Sequence, residues 1–258
     1  MWNNHQFLNL LSNLLYVAVA AAAAYVIGLR LSESPYFPIK EINIFAAHAE
    51  KNAGTRLINI SEEQIQTLFT EGIKGNFVSV DLTEVRNVFE KLPWVREAKI
   101  NRKWPNALDV IVEEHQALAR WDSHALVNTF GEVFRVSSEQ QLPVFLGPTE
   151  ESAQEVAKQF HQFNQILKPL QQNTVEVVLT PRYAWRIRLN TGTVLELGRE
   201  DIKERLERYV LVYEHSIARL SQDSPLEYVD LRYPNGFAVR LTEQKQQTPK
   251  KSNLKKET

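Results

Sequence analysis

Not one cysteine occurs in the 258 residues, which excludes a disulfide framework and any thiolate nucleophile or metal ligand. That absence suits cytosol and an oxidising compartment equally and does not choose between them. An excess of one charge sign is also missing: 30 Lys and Arg against 31 Asp and Glu leave a net charge of -1. The basic residues are spread out except near the C-terminal end, so there is no electrostatic footprint for nucleic acid. The chain also lacks H-E-x-x-H, G-x-S-x-G, a P-loop and G-x-G-x-x-G, which removes the commonest signatures of hydrolases, nucleotide binders and dehydrogenases. What remains is a chain with ordinary apolar content and enough length for one large or two modest domains.

One stretch lacks charge altogether. "FLNLLSNLLYVAVAAAAAYVIGL", Phe7 to Leu29, holds no Asp, Glu, Lys or Arg. As a helix it reaches roughly 34 Å, enough to cross a bilayer core. A cleaved signal peptide is the competing reading, with Ala20 to Ala24 as a small-residue site. The absence of Lys or Arg ahead of the run, and its length, favour a permanent span. Local charge gives little help with orientation, since Arg30 and Lys40 follow the span and residues 1–6 carry no Lys or Arg. A large folded domain crosses regardless of two such charges.

Beyond the span, "SESPYFP" reads as a linker, because Pro35 and Pro38 bar regular helix. "IKEINIFA" reads as a strand. Ser61 with Gln64, and Asp81 with Glu84, mark two helix starts. Ile65, Leu68 and Phe69 form the stripe of the first; Val85, Val88, Phe89 and Leu92 form that of the second, which Pro93 stops. Val95, Ala98 and Ile100 then begin a strand, "WPNA" turns the chain, and "LDVIVEEHQALARW" returns with Leu108, Val110 and Val112 inward. The order is β-α-α-β-β. After Trp121 come hairpins, "LPVFLGP", a helix with Val156, Phe160, Phe163 and Leu167 on one side, and a long hairpin turning at Asn190-Thr191-Gly192. A second helix follows with Ile202, Leu206, Tyr209, Tyr213, Ile217 and Leu220 as its stripe, then "LEYVDLRY", a Pro-Asn-Gly turn and "FAVRL". The tail "EQKQQTPKKSNLKKET" is lysine-rich and aperiodic, which predicts disorder.

Glu114, His115, Asp122 and His124 are the nearest thing to a metal set, but their spacing fits no zinc pattern and a solvated strand edge accounts for them. Asp109 and Glu113, four apart on a strand, read as an exposed polar face. The more informative feature is the last strand, Phe237 to Leu241, with one charge at Arg240 and no internal proline. A strand that ends a chain often lies at a sheet edge, where free main-chain groups template another strand. Two other arrangements are open: the tail folds over the edge, or the strand lies inside the sheet.

The stretches "LPWVREAKINRKWPNALDVIVEEHQALARW", "NTFGEVF", "LPVFLGP", "LELGREDIKERLERYV" and "YVDLRYPNGFAVR" resemble the FtsQ/DivIB family of bacterial cell-division proteins, and within it the Gram-negative type. The resemblance covers nearly the whole chain. It implies an α+β fold: a single N-terminal transmembrane helix, a POTRA-like β-α-α-β-β module, then a β-rich domain of antiparallel strands with two helices. The expected boundaries are a cytoplasmic segment at 1–6, the span at 7–31, a linker at 32–38, the POTRA-like domain at 39–114, the β-domain at 115–242 and a disordered tail at 243–258. It also implies a non-enzymatic, cofactor-free divisome scaffold in the cell inner membrane at the septum, N-terminus cytoplasmic and bulk periplasmic. The implied partners are FtsB and FtsL, with other divisome proteins. The partner-binding positions carried over from the family are Arg182, Tyr233, Asn235, Gly236, Phe237, Ala238, Val239 and Arg240. Pro234 and Asn235 depart from the polar turn residues common in the family, and Leu241 stands where some members have an aromatic residue. Two rival functions are weighed against this one. A POTRA protein of outer-membrane assembly or secretion would continue into many amphipathic barrel strands, and a membrane-anchored metalloenzyme would use His115 and His124.

Overall fold

The structure is a computed structural model that describes residues 5–32, 37–47, 57–61, 63–65, 67–68, 75–218, 225–234 and 236–241. Phe69, Leu220, Asn235 and the lysine-rich tail lie outside the described residues. The chain divides into two compact units, Met1–His115 and Gln116–Thr258.

The first unit opens with helix α1, His5–Ser32. Its segment Phe7–Gly28, 22 residues with a mean hydropathy of 2.0, is long and apolar enough to cross a membrane, and none of it is buried among the described residues. After it come strand β1 (Glu41–Ala46), a short helical stretch within residues 63–68, helix α2 (Leu82–Phe89), and strands β2 (Val95–Lys103) and β3 (Ala107–Glu114). The sheet order is β1-β3-β2, with β1 parallel to β3 and β2 antiparallel to it. This is the β-α-α-β-β module that the sequence predicts.

Its helix starts are made as the residue types dictate. Ser61 N–H donates to Gln64 Oε1 (3.0 Å) and Gln64 N–H to Ser61 Oγ (3.2 Å), so two otherwise orphaned donors are satisfied reciprocally. At α2 the Asp81 carboxylate accepts from Thr83 N–H at 2.7 Å and, more weakly, from Glu84 N–H at 3.4 Å. The helix ends at Phe89, ahead of the expected Pro93 stop, and Glu90 to Trp94 form turns. Between the helices and the sheet lie Ile60, Ile65, Val80, Val85, Phe89, Val95, Ala98, Val110 and Val112, all buried. Fully burying each of the larger ones contributes about 1.5–3 kcal/mol, which orders a module this small.

The second unit is one nine-stranded sheet. Its strands are β4 (Ala117–Trp121), β5 (Ala125–Asn128), β6 (Val133–Phe134), β7 (Val144–Leu146), β8 (Thr174–Leu179), β9 (Trp185–Leu189), β10 (Val194–Gly198), β11 (Leu226–Asp230) and β12 (Ala238–Leu241). The spatial order is β12-β11-β10-β9-β8-β7-β4-β5-β6. Hairpins make most neighbours antiparallel, as the resemblance implies. Three pairings, β10 with β11, β7 with β8 and β4 with β7, are parallel. In two of these the connection is a helix, α3 (Ala153–Leu167) between β7 and β8 and α4 (Ile202–Val212) between β10 and β11, and a helical crossover returns the chain in the same direction.

Val156, Phe160, Phe163 and Leu167 of α3 and Leu206 and Tyr209 of α4 are buried against Phe145, Val177, Ile187, Leu195 and Val229. After Val212 the helix widens into a π turn, Tyr213–Ile217. "LDVIVEEHQALARW", expected as one returning strand, divides at His115 and Gln116 into β3 and β4, which belong to different sheets.

Candidate functional site

Among the described residues the last strand, β12, lies at the edge of the nine-stranded sheet and pairs only with β11. The opposite edge, β6, has two residues, whereas β12 has four. A two-residue edge presents almost nothing to a passing chain; four extended residues present a usable row of N–H and C=O groups. Ala238, Val239 and Arg240 are exposed, and Leu241 is packed against the core. Phe237, expected as the first residue of the strand, precedes it and packs its ring against the core, since an aromatic side chain gains more from burial than from an open edge.

Charges on an edge normally deter pairing. Here the one charge is spent within the sheet. Arg240 donates from Nε and Nη2 to the two carboxylate oxygens of Glu227 at 3.1 and 3.2 Å, and its guanidinium lies 5.2 Å from the centre of the Tyr228 ring. Burial pushes the Tyr228 phenol above its usual range.

The turn before β12 is held from two sides. Arg232 forms a fork onto Asp230, Nε to Oδ1 at 2.9 Å and Nη2 to Oδ2 at 2.6 Å, and its own N–H reaches Oδ1 at 3.0 Å. These hydrogen bonds, led by the side-chain ones, hold the Asp230 carboxyl below the usual carboxylate range although it is buried. From α4, Arg208 donates to the carbonyls of Pro234 (2.7 Å), Tyr233 (3.0 Å) and Leu231 (3.1 Å). With its main chain clamped in this way, Tyr233 stands 55% exposed.

Arg182 lies in the β8–β9 turn and is exposed. Strand register fixes which end of the sheet that is. Trp185 faces Gly198, Glu196 faces Asp230 and Asp230 faces Ala238, so the β8–β9 and β11–β12 turns share one end. Three strand spacings separate β9 from β12, about 14 Å. The structure therefore gathers Arg182, Tyr233, Gly236 and the start of β12 along one rim. Two residues of that rim escaped the sequence reading: Arg208, whose partners are main-chain carbonyls with no residue-type signature, and Tyr183. Tyr183 is 67% exposed with φ at 58°, a left-handed conformation that costs a non-glycine residue roughly 1–2 kcal/mol.

Two of the residues weighed as metal ligands have other partners. The Glu114 carboxylate accepts from Ile58 N–H and Asn59 N–H, both at 2.8 Å, and His124 Nδ1 meets Ser123 Oγ. Among the described residues no three of His, Asp or Glu converge as a metal set would require. Asp109 accepts from Asn43 at 2.9 Å and Glu113 pairs with Arg96 at 2.9 Å, which is how a polar strand face is ordinarily satisfied.

Comparison with known proteins places this geometry. Residues 119–232 match the family model described as cell division protein FtsQ/DivIB, C-terminal, and residues 55–115 match the POTRA domain, FtsQ-type. The cell division protein FtsQ of Nitrosospira multiformis is 44% identical over 243 residues, covering 94% of this chain and all of that protein. Those of Burkholderia pseudomallei and Bordetella pertussis are 39% and 34% identical, each over 93% of this chain and over 94% and 93% of theirs. On these matches and this fold, the chain belongs to the FtsQ/DivIB family of cell-division proteins.

Proposed function

We propose that this chain is a non-enzymatic, single-pass scaffold of the division machinery in the cell inner membrane. Its short N-terminal segment lies in the cytoplasm and its two folded units in the periplasm at the septum. There it binds FtsB together with FtsL and so links early and late division proteins. The contact residues are Arg182, Tyr233, Asn235, Gly236 and β12 with Phe237 just before it. The partner adds a strand to β12: main-chain hydrogen bonds supply affinity, while Tyr233 and Arg182 on the shared rim read its side chains. The observation that carries this reading is an edge strand of four residues whose only charge is tied up by Glu227 and Tyr228.

The test is binding of the FtsB–FtsL complex to the full chain in lipid nanodiscs. Val239→Lys places a free charge on an exposed position of the edge without touching the core. It is expected to weaken binding about tenfold or more, equivalent to about 1.4 kcal/mol. Phe130→Lys, exposed in the β5–β6 turn at the far edge, is expected to leave affinity unchanged. Equal binding by wild type and Val239→Lys would move the site off this edge.

A further inference from the structure

The first unit has an exposed apolar patch that the reading above does not use. Trp104, in the β2–β3 turn, is 74% exposed; Val78 and Phe37 are exposed beside it. Each of the three adjoins Phe77, whose ring is buried. Trp104 packs edge-on against it with ring centres 5.0 Å apart, Val78 follows it in the chain, and its N–H donates to Phe37 C=O at 2.8 Å. Arg102 braces the group, donating from Nε to Phe77 C=O (3.0 Å) and from Nη2 to Val80 C=O (2.6 Å). A tryptophan so exposed, yet set on a braced frame, is presented rather than left over.

Its place in the fold says to what. Because β1 runs parallel to β3, with Glu41 opposite Ala107 and Lys40 N–H bonded to Asn106 C=O at 2.9 Å, the β2–β3 turn lies at the end where the chain enters the module. Only residues 33–40 separate that point from the end of α1, a reach of at most about 28 Å. The apolar group is flanked by Lys40, Arg102 and Lys103, against Glu41 and Asp109, the latter 3.9 Å from Lys103. An amphipathic indole beside lysine and arginine is the chemistry of a bilayer interface with anionic headgroups.

We infer that the β2–β3 turn, with Trp104 at its tip and Phe37 and Val78 beside it, rests on the surface of the bilayer that α1 crosses, seating the indole at headgroup level. The contact orients the module relative to the membrane, and the short tether keeps its effective concentration high enough for a weak contact to persist. The inference rests on reading α1 as a span, and the experiment separates the two.

Full-length protein is reconstituted into vesicles of phosphatidylglycerol with phosphatidylcholine, the latter plain or carrying brominated acyl chains that quench nearby indoles. Wild type is compared with Trp104→Phe, so that the difference in emission belongs to Trp104. The expected result is co-flotation of both proteins with the vesicles, and a difference emission that is blue-shifted and lost in the brominated bilayer. Co-flotation with a red, unquenched difference emission overturns this inference alone and leaves the patch to a protein partner. Failure to float overturns the span reading and this inference together.

Discussion

At the scale of single residues, the rim at the start of β12 shows how little of a surface's arrangement is written in residue type. Arg232 and Asp230 stand two apart in "DLRY", and in an extended segment that spacing puts both side chains on one face, so their fork follows from the sequence. It has a consequence for pH. The folded state holds the Asp230 carboxyl below the usual range, so it binds the proton less readily than the unfolded chain does. Its stabilisation is therefore complete above the unfolded value of about 4 and is lost as pH falls below that toward the folded value. With the Arg232 side chain 56% exposed, the interaction is partly screened. Asp230→Asn is expected to cost about 1–2 kcal/mol near neutral pH. The gap from wild type should close in denaturant titrations below pH 4; a gap independent of pH would show that the ionised carboxylate is not what the turn needs.

Elements inherit their starts from residues and their partners from the rest of the chain. The starts were legible: Ser61 with Gln64 and Asp81 cap helices where the sequence puts them, and Val156, Phe160, Phe163 and Leu167 face inward as their spacing requires. The division of "LDVIVEEHQALARW" was not legible, because alternation runs through His115 and only strand pairing separates β3 from β4. Nor was the π turn at Tyr213–Ile217, since the apolar stripe passes through it unbroken. The edge position of β12 was one of several open arrangements, because sheet order depends on contacts between segments far apart in sequence. The clamp by Arg208 was invisible, since on a helix pattern it reads as a solvated cation. Arg208→Met keeps the side-chain stem over α4 and removes the three hydrogen bonds to the turn. Amides of residues 231–233, 236 and 237 are then expected to exchange faster, with a stability loss of about 1–3 kcal/mol and, on the proposed function, weaker capture of FtsB. Unchanged exchange in that segment would mean the turn holds its shape without the helix.

For the whole molecule the decisive property, on the proposed function, is where the binding edge would be confined. β12 offers few main-chain bonds, and a short added strand in free solution loses much of its gain to the entropy of association. If both partners are restricted to one bilayer, as the proposed function has it, a large part of that cost is removed before any contact forms, and a modest edge would suffice for assembly. On the proposed function, α1 is then part of the binding mechanism as well as an address. Placing charge at the centre of α1, as in Ala18→Arg combined with Ala21→Arg, costs about 2.5–3.5 kcal/mol per residue for insertion. The full-length variant is expected to leave the membrane fraction under alkaline carbonate, whereas wild type stays with it. On the proposed function its β12 edge, unaltered in sequence, is expected to bind soluble FtsB–FtsL in detergent with the wild-type affinity while failing to support division in cells. If instead the variant remained membrane-bound, the apolar helix would not be the anchor; if it left the membrane and still supported division, confinement to the bilayer would not be what makes so small an edge effective.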